Sequence, residues 1–157
     1  MQQHPFEPIV YNKTHTLILG SFPSIKSFEN SFYYAHPKNQ FWKILSQISG
    51  YAINNKDQKL WLLKELNLGL WDMVKSCQRE NSSDSNLSDI ELNSIDKFLK
   101  QHPQIKRLAF TSRLAQKLYN KEFKELSIES FYLPSPSPAY AAMSFEQKCK
   151  IYKEKLL

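Results

Sequence analysis

The chain has 157 residues, 41% hydrophobic and 23% charged, enough to bury one sizeable core but not two, so a single domain over residues 1–157 is expected. Lys and Arg number 21 against 15 Asp and Glu, and the resulting charge of +6 favours an anionic partner. Two cysteines, Cys77 and Cys149, are too few and too far apart for a disulfide framework, a four-cysteine zinc site or an iron–sulfur cluster. No apolar run reaches the roughly 18 residues of a membrane span and the first ten residues lack an export signal, so a cytoplasmic protein without metal, cofactor or membrane contact is expected. The charge is uneven. Six basic residues stand against three acidic ones in positions 1–60, five against seven in 61–100, and ten against five in 101–157. Basic ends that met on one face would form a nucleic-acid footprint, although a lysine-rich solvated surface accounts for the same counts.

In chain order, Thr16-Leu17-Ile18-Leu19-Gly20 is an unbroken apolar run ending in glycine, a buried strand that runs into a loop. Positions 21–38 then hold prolines, serines and the aromatics Phe22, Phe28, Phe32, Tyr33 and Tyr34, and a long aromatic loop is costly to order unless it serves a site. The spacing of Phe41, Ile44, Leu45 and Ile48 predicts a helix from Asn39 to before Gly50; a second helix covers 57–66, and 68–74 read as the next strand. Residues 76–84 are polar and serine-rich, a surface loop by composition. Ser88 with Glu91 forms a capping box and predicts a helix to about residue 101. A strand at 107–111, a helix at 112–120 and an alternating strand at 128–133 follow, the last running into Pro134-Ser135-Pro136-Ser137-Pro138. Ser144 with Gln147 caps a basic helix to residue 157.

This alternation predicts an α/β fold, a three-layer sandwich whose central parallel sheet of about four strands carries helices on both faces. Ligands of such sheets collect beyond the carboxyl ends of the strands. The unusual segments all fall there: residues 21–39, the stretch after Asp72, Thr111-Ser112 and the Pro-Ser repeat.

Gly20-Ser21-Phe22-Pro23-Ser24, Phe32-Tyr33-Tyr34-Ala35-His36-Pro37-Lys38-Asn39-Gln40-Phe41-Trp42 and Leu133-Pro134-Ser135-Pro136-Ser137-Pro138-Ala139 together resemble the uracil-DNA glycosylase superfamily. Within it the hypoxanthine-DNA glycosylase branch, family six, related to the mismatch-specific G:T/U glycosylases, is the closest match. Leu70-Trp71-Asp72 and Ser83-Asp84-Ser85 share the likeness, which spans nearly the whole chain; the N-terminal arm and residues 51–63 are least informative. The resemblance implies a monofunctional, monomeric enzyme of base excision repair. It would flip a deaminated base, hypoxanthine or uracil, out of DNA containing that damaged base and hydrolyse the N-glycosidic bond.

Such chemistry needs an aromatic platform for the flipped base, polar groups at its edge, and stabilisation of a sugar cation while the base leaves as an anion. Tyr34 matches the position where relatives stack an aromatic on the base, with Tyr33 or Phe32 as a wall; plain loop packing is the other reading. Relatives usually carry Asp or Asn where this chain has Phe22, and the hypoxanthine branch is thought to use the Asn of its His-Pro-x-Asn segment, which lands on Asn39. An amide would orient water rather than deprotonate it, and capping the next helix is a compatible role. Gly20, Ser21, Phe22, Pro23 and Thr111 are expected around the base, and His36 on a phosphate or a loop carbonyl. Ser24, Lys38, Ser135, Ser137 and Tyr140 are expected on DNA. Lys38 and Lys43 raise the option of a Schiff-base lyase, for which an exposed lysine is a poor nucleophile. Asp72 and Asp84 are candidates for orienting polar groups, or plain strand-end and turn carboxylates.

Three departures support an alternative, a catalytically weak or inactive DNA-binding relative of the same fold. Phe22 replaces the acid or amide, Leu133 stands where many relatives have His or Asn, and Thr111 stands where a Phe-Asn-Gly segment often reads the base. A third reading, an acyl-transfer triad of Ser21 or Ser135 with His36 and Asp72, lacks a nucleophile elbow around either serine.

Overall fold

A computed structural model describes all 157 residues. Its strands are β1 (Gln2–Gln3), β2 (Thr16–Gly20), β3 (Leu68–Asp72), β4 (Val74–Gln78), β5 (Ser88–Leu92), β6 (Arg107–Phe110) and β7 (Glu129–Tyr132). Its helices are α1 (Ile25–Glu29), α2 (Phe41–Ser49), α3 (Lys56–Glu65), α4 (Ile95–Gln101), α5 (Arg113–Glu122) and α6 (Phe145–Leu156), with a 3-10 turn at Asp84–Asn86.

The apolar run of β2 is buried on both sides because its residues alternate between two layers. Ile18 joins Leu70 and Ala109 under α2, α3 and α6, where Phe41, Leu45, Leu62 and Tyr152 are fully buried. Leu17 and Leu19 join Leu108 and Phe110 under α4 and α5, with Phe98, Ala115 and Tyr119. The four-stranded sheet has the order β3-β2-β6-β7 and is parallel throughout, so the expected three-layer α/β sandwich forms. The chain places its second main-sheet strand on one side of β2 and its third on the other. That reversal opens a crevice between the carboxyl ends of β2 and β6.

The region after β3 differs from the sequence expectation. Residues 68–74 do not make one strand: Met73 and Val74 leave the sheet, their N–H groups donating to the Gly20 and Ser21 carbonyls at 2.8 and 3.0 Å. The segment expected as a polar loop begins with β4, whose Cys77 is fully buried beside Phe22 and Val74. Ser88 caps no helix. Residues 88–92 form β5, antiparallel to β4, because Ile90 and Leu92 alternate toward that small cluster while Ser88 and Glu91 point outward. The helix starts only at Ile95. A short helix, α1, capped by Ser24, lies within the loop expected to be irregular.

The N-terminal arm completes both sheets. Gln2 and Gln3 pair antiparallel with Cys77 and Ser76, giving the small sheet the order β1-β4-β5. Further on, Ile9 bridges Leu70 and covers the outer edge of β3, with reciprocal N–H to carbonyl bonds of 2.9 Å. Gly69 allows this approach, since a Cβ there would lie 2.7 Å from the Ile9 carbonyl oxygen.

The two serine caps read from the sequence therefore behave differently. Ser144 and Gln147 form a reciprocal capping box on α6, whereas Ser88 sits exposed at a strand end. Ser144→Ala is expected to lower unfolding stability by about 0.5–2 kcal/mol. Ser88→Ala should change it by less than about 0.5 kcal/mol. Urea unfolding measures both, and a Ser88 loss equal to that of Ser144 would contradict the strand.

Candidate active site

A cleft of about 650 Å³ lies beyond the carboxyl ends of β2, β3, β6 and β7, walled by the loop after β2, residues 81–84, residues 111–113 and the Pro-Ser loop. That volume is in the range of small-ligand sites, about 300–1,000 Å³. At its floor is Gly20, paired with Asp72 across the sheet. A Cβ on Gly20 would lie 2.6 Å from Asp72 Oδ1, 3.2 Å from the Tyr34 hydroxyl and 3.5 Å from Thr111 Oγ1. Three polar side chains from three separate segments thus converge where a side chain is missing, and no larger residue fits.

Tyr34 holds a left-handed backbone conformation, φ 54°, which costs a non-glycine residue roughly 1–2 kcal/mol. Its surroundings enforce it. The ring stacks on Phe41 at 4.1 Å and 19°, and the hydroxyl pairs with Thr111 Oγ1 at 2.8 Å. Burial and the nearby Asp72 push the phenol well above the usual tyrosine range, so it remains a hydrogen-bonding hydroxyl. One ring face is committed to Phe41, and the residue lines the cleft.

Asp72 is itself buried and shares a 2.7 Å hydrogen bond between Oδ2 and His4 Nε2, with side-chain exposures of 6% and 5%. β1 delivers that histidine: His4 N–H donates to the Lys75 carbonyl at 2.7 Å, and Nδ1 lies 2.9 Å from the Phe6 carbonyl. Burial raises the Asp72 pKa, while the hydrogen bond and charge of His4 pull it back down. Oδ1 turns toward Gly20 and the cleft.

Asn39 also lines the cleft. Its Oδ1 accepts from the Phe41 N–H at 2.9 Å, so it ties down the start of α2 and is itself fixed by that bond. His36 stabilises the same turn, its Nδ1 accepting from the Lys38 N–H at 3.0 Å and its carbonyl from the Asn39 N–H at 2.9 Å.

The sequence model described as the uracil DNA glycosylase superfamily matches residues 8–157. The chain belongs to that superfamily. It is 33% identical over 141 residues to a protein of Methanosarcina acetivorans named hypoxanthine DNA glycosylase, covering 88% of this chain and 89% of that one. A protein of the same name from Methanosarcina barkeri is 32% identical over the same shares. A solution NMR structure from Methanosarcina acetivorans, bearing a uracil DNA glycosylase designation, superposes with a TM-score of 0.81 at 29% identity and 97% coverage of both chains.

The remaining superfamily motif residues divide between cleft and scaffold. Ser21 Oγ donates to Asp84 Oδ1 at 2.5 Å, binding the loop after β2 to residues 81–84. Phe22 and Pro23 are held by Arg79, whose guanidinium lies 4.9 Å from the Phe22 ring centre and donates to the Pro23 carbonyl. Ser24 caps α1 from the cleft wall. Ser135 and Ser137 accept from the Ser137 and Ala139 N–H groups at 3.2 Å, which pre-shapes the Pro-Ser loop, and Tyr140 closes its far end at the cleft. Lys38 is exposed and lies outside the cleft lining. Leu133 faces the core at 0% exposure, so its position offers the cleft nothing. No acyl-transfer triad assembles, because Asp72 is committed to His4 and His36 Nδ1 to a backbone N–H.

Two residues, one behind the cleft and one in its wall, escaped the sequence reading. His4 carries no motif, and its partner is 68 residues away. Arg113, stacked 3.6 Å from the centre of the Tyr132 ring, is the arginine of the cleft wall; its place directly after Thr111-Ser112 was the available signal.

Removing His4 leaves a buried carboxyl without its partner. The folded-state pKa of Asp72 then rises further above its unfolded value, so the stability it contributes persists at low pH and is lost as pH rises through the folded pKa. His4→Ala is expected to lose up to about 3 kcal/mol relative to wild type at pH 8. The loss should shrink toward pH 5, as read by urea unfolding at both pH values; a pH-independent loss would contradict the pair.

Proposed function

We propose that this protein excises a deaminated base, hypoxanthine or uracil, from DNA by hydrolysing the N-glycosidic bond. It acts as a monofunctional, monomeric glycosylase in the cytoplasm, without a metal or cofactor. The observation that carries this reading is the joint presence of the Tyr34 ring and the Asn39 amide in one cleft at the carboxyl ends of the sheet. The names of the two Methanosarcina relatives support hypoxanthine as a substrate. No helix is long and apolar enough to cross a membrane.

The flipped base stacks on the open face of Tyr34, an interaction worth about 1–3 kcal/mol. The Phe41 N–H holds Asn39 Oδ1 in place, and its second lone pair accepts a hydrogen from the attacking water. An amide cannot take the water's proton, so the C1′–N bond stretches first and the sugar gains cation character. The bonding electron pair leaves with the base, the water oxygen bonds to C1′, and its proton passes to solvent. The products are a free base and an abasic site. Arg113 and the pre-shaped Pro-Ser loop stand at the cleft wall, suited to the flanking phosphates.

Oligonucleotides carrying inosine, uracil or a G:T mismatch, incubated with purified protein and cleaved with alkali, test this directly. Strand breaks are expected at inosine or uracil; none on any of the three overturns the enzyme reading in favour of a DNA-binding relative. Asn39→Ala should lower single-turnover excision about 10²- to 10⁴-fold while leaving affinity for abasic-site DNA unchanged. Asn39→Asp preserves the acceptor for Phe41 N–H and serves as the folding control. Full activity in Asn39→Ala would remove Asn39 from the chemistry.

A further inference from the structure

We propose that Asp72 is the residue by which the cleft separates deaminated bases from their parent bases, and that His4 is the positioning residue that fixes which carboxyl oxygen faces the base. This inference rests on the glycosylase reading above and adds the means of base choice.

Deamination changes one edge of a base in a defined way. In adenine and cytosine a ring nitrogen lone pair sits beside an amino group, an acceptor next to a donor. In hypoxanthine and uracil the same edge carries a ring N–H beside a carbonyl, a donor next to an acceptor. A site selecting the deaminated form must present an acceptor next to a donor, the complement of that edge.

The floor of the cleft has this pair. Around the point where Gly20 lacks a Cβ stand Asp72 Oδ1 at 2.6 Å and the Tyr34 hydroxyl at 3.2 Å, with Thr111 Oγ1 at 3.5 Å. Oδ1 supplies the acceptor. The Tyr34 and Thr111 hydroxyls own two hydrogens and use one in their mutual 2.8 Å bond, so one remains to donate to a base carbonyl. An adenine or cytosine would bring a ring lone pair against Oδ1 and leave that buried acceptor unpaired, and sites built around a hydrogen bond reject analogues lacking it far more strongly than apolar pockets do.

His4 makes the acceptor dependable. Its Nε2 lies 2.7 Å from Oδ2, while its Nδ1 faces both the carbonyl of Phe6 at 2.9 Å and the N–H of Phe6 at 3.3 Å. A 2.7 Å hydrogen bond between His4 and Asp72 holds its proton on the Oδ2 side, and Oδ1, which also faces the Gly20 backbone, keeps a lone pair for the cleft. His4 precedes residues 8–157 matched by the superfamily model and belongs to the N-terminal arm.

The test compares single-turnover excision from oligonucleotides containing inosine or unsubstituted purine deoxynucleoside, which has a ring lone pair in place of the N–H and adds no bulk. Wild type should prefer inosine by at least about 100-fold, and equal rates on the two overturn the inference without any variant. In Asp72→Ala, and in Asp72→Leu as a variant of similar shape, the preference should fall at least tenfold. Affinity for abasic-site DNA, which has no base to read, should stay the same and so report folding. His4→Gln, which keeps a donor to Oδ2, should retain the preference, and His4→Ala should lose it. An unchanged preference in folded Asp72 variants sinks the inference alone, whereas wild-type inactivity on inosine and uracil sinks the glycosylase reading beneath it.

Discussion

The site depends on the end of one strand. β2 lies inside the main sheet, with parallel neighbours on both sides, β3 and β6. Its register sets Gly20 opposite Asp72, and the next residue along β6, Thr111, donates its N–H to the Leu19 carbonyl at 3.1 Å. The backbone ladder thereby places a carboxyl and a hydroxyl at the same height on either side of a residue with no side chain. Tyr34 occupies the remaining space, and its left-handed backbone is the conformational cost of reaching there from a loop rather than from the sheet.

Around this point the loops are stiffened by short polar bonds. The Pro-Ser loop is braced by its own serines, and the Pro136 carbonyl accepts from the Gln40 N–H at 2.9 Å. The Gln40 side chain in turn accepts from Lys148 at 2.8 Å, a lysine only 1% exposed on α6. Helix α2, helix α6 and the Pro-Ser loop are therefore one connected unit, with Asn39 at its inner edge. Much of the order needed to receive a ligand is already present, which reduces the entropy lost on binding.

The main sheet was legible because its strands are short apolar runs with both faces buried, and the cleft because glycine, proline and serine punctuate their carboxyl ends. The small sheet was not. Ser88 and Glu91 have capping-box spacing, yet Ile90 and Leu92 between and beyond them have strand spacing, and the second pattern prevails because Phe22, Val74 and Cys77 offer a surface to cover. Leu133 and Phe22 looked like lost polar groups in the motif comparison. The fold assigns Leu133 to the core and Phe22 to the cleft wall, where its ring packs against the Arg79 guanidinium. His4 was invisible for a different reason: an isolated histidine acquires meaning only through a distant carboxylate, and the pairing follows from sheet closure rather than from local pattern.

The N-terminal arm joins the sheets through a two-residue strand and a bridge at Ile9, and is otherwise held by side chains, with Phe6 against Tyr33, the Glu7 carbonyl on the Tyr33 hydroxyl and Gln2 on Arg79. Such an attachment can fray on its own, because local opening needs far less free energy than unfolding of the two-layer core. Each fraying event would withdraw His4 from Asp72 while the sheet, Tyr34 and Asn39 stay in place. The N-terminal arm is thus wired to the innermost carboxyl of the cleft, so that on the base-choice proposal above a change at residues 1–3 reaches fidelity through His4 rather than through the two core layers.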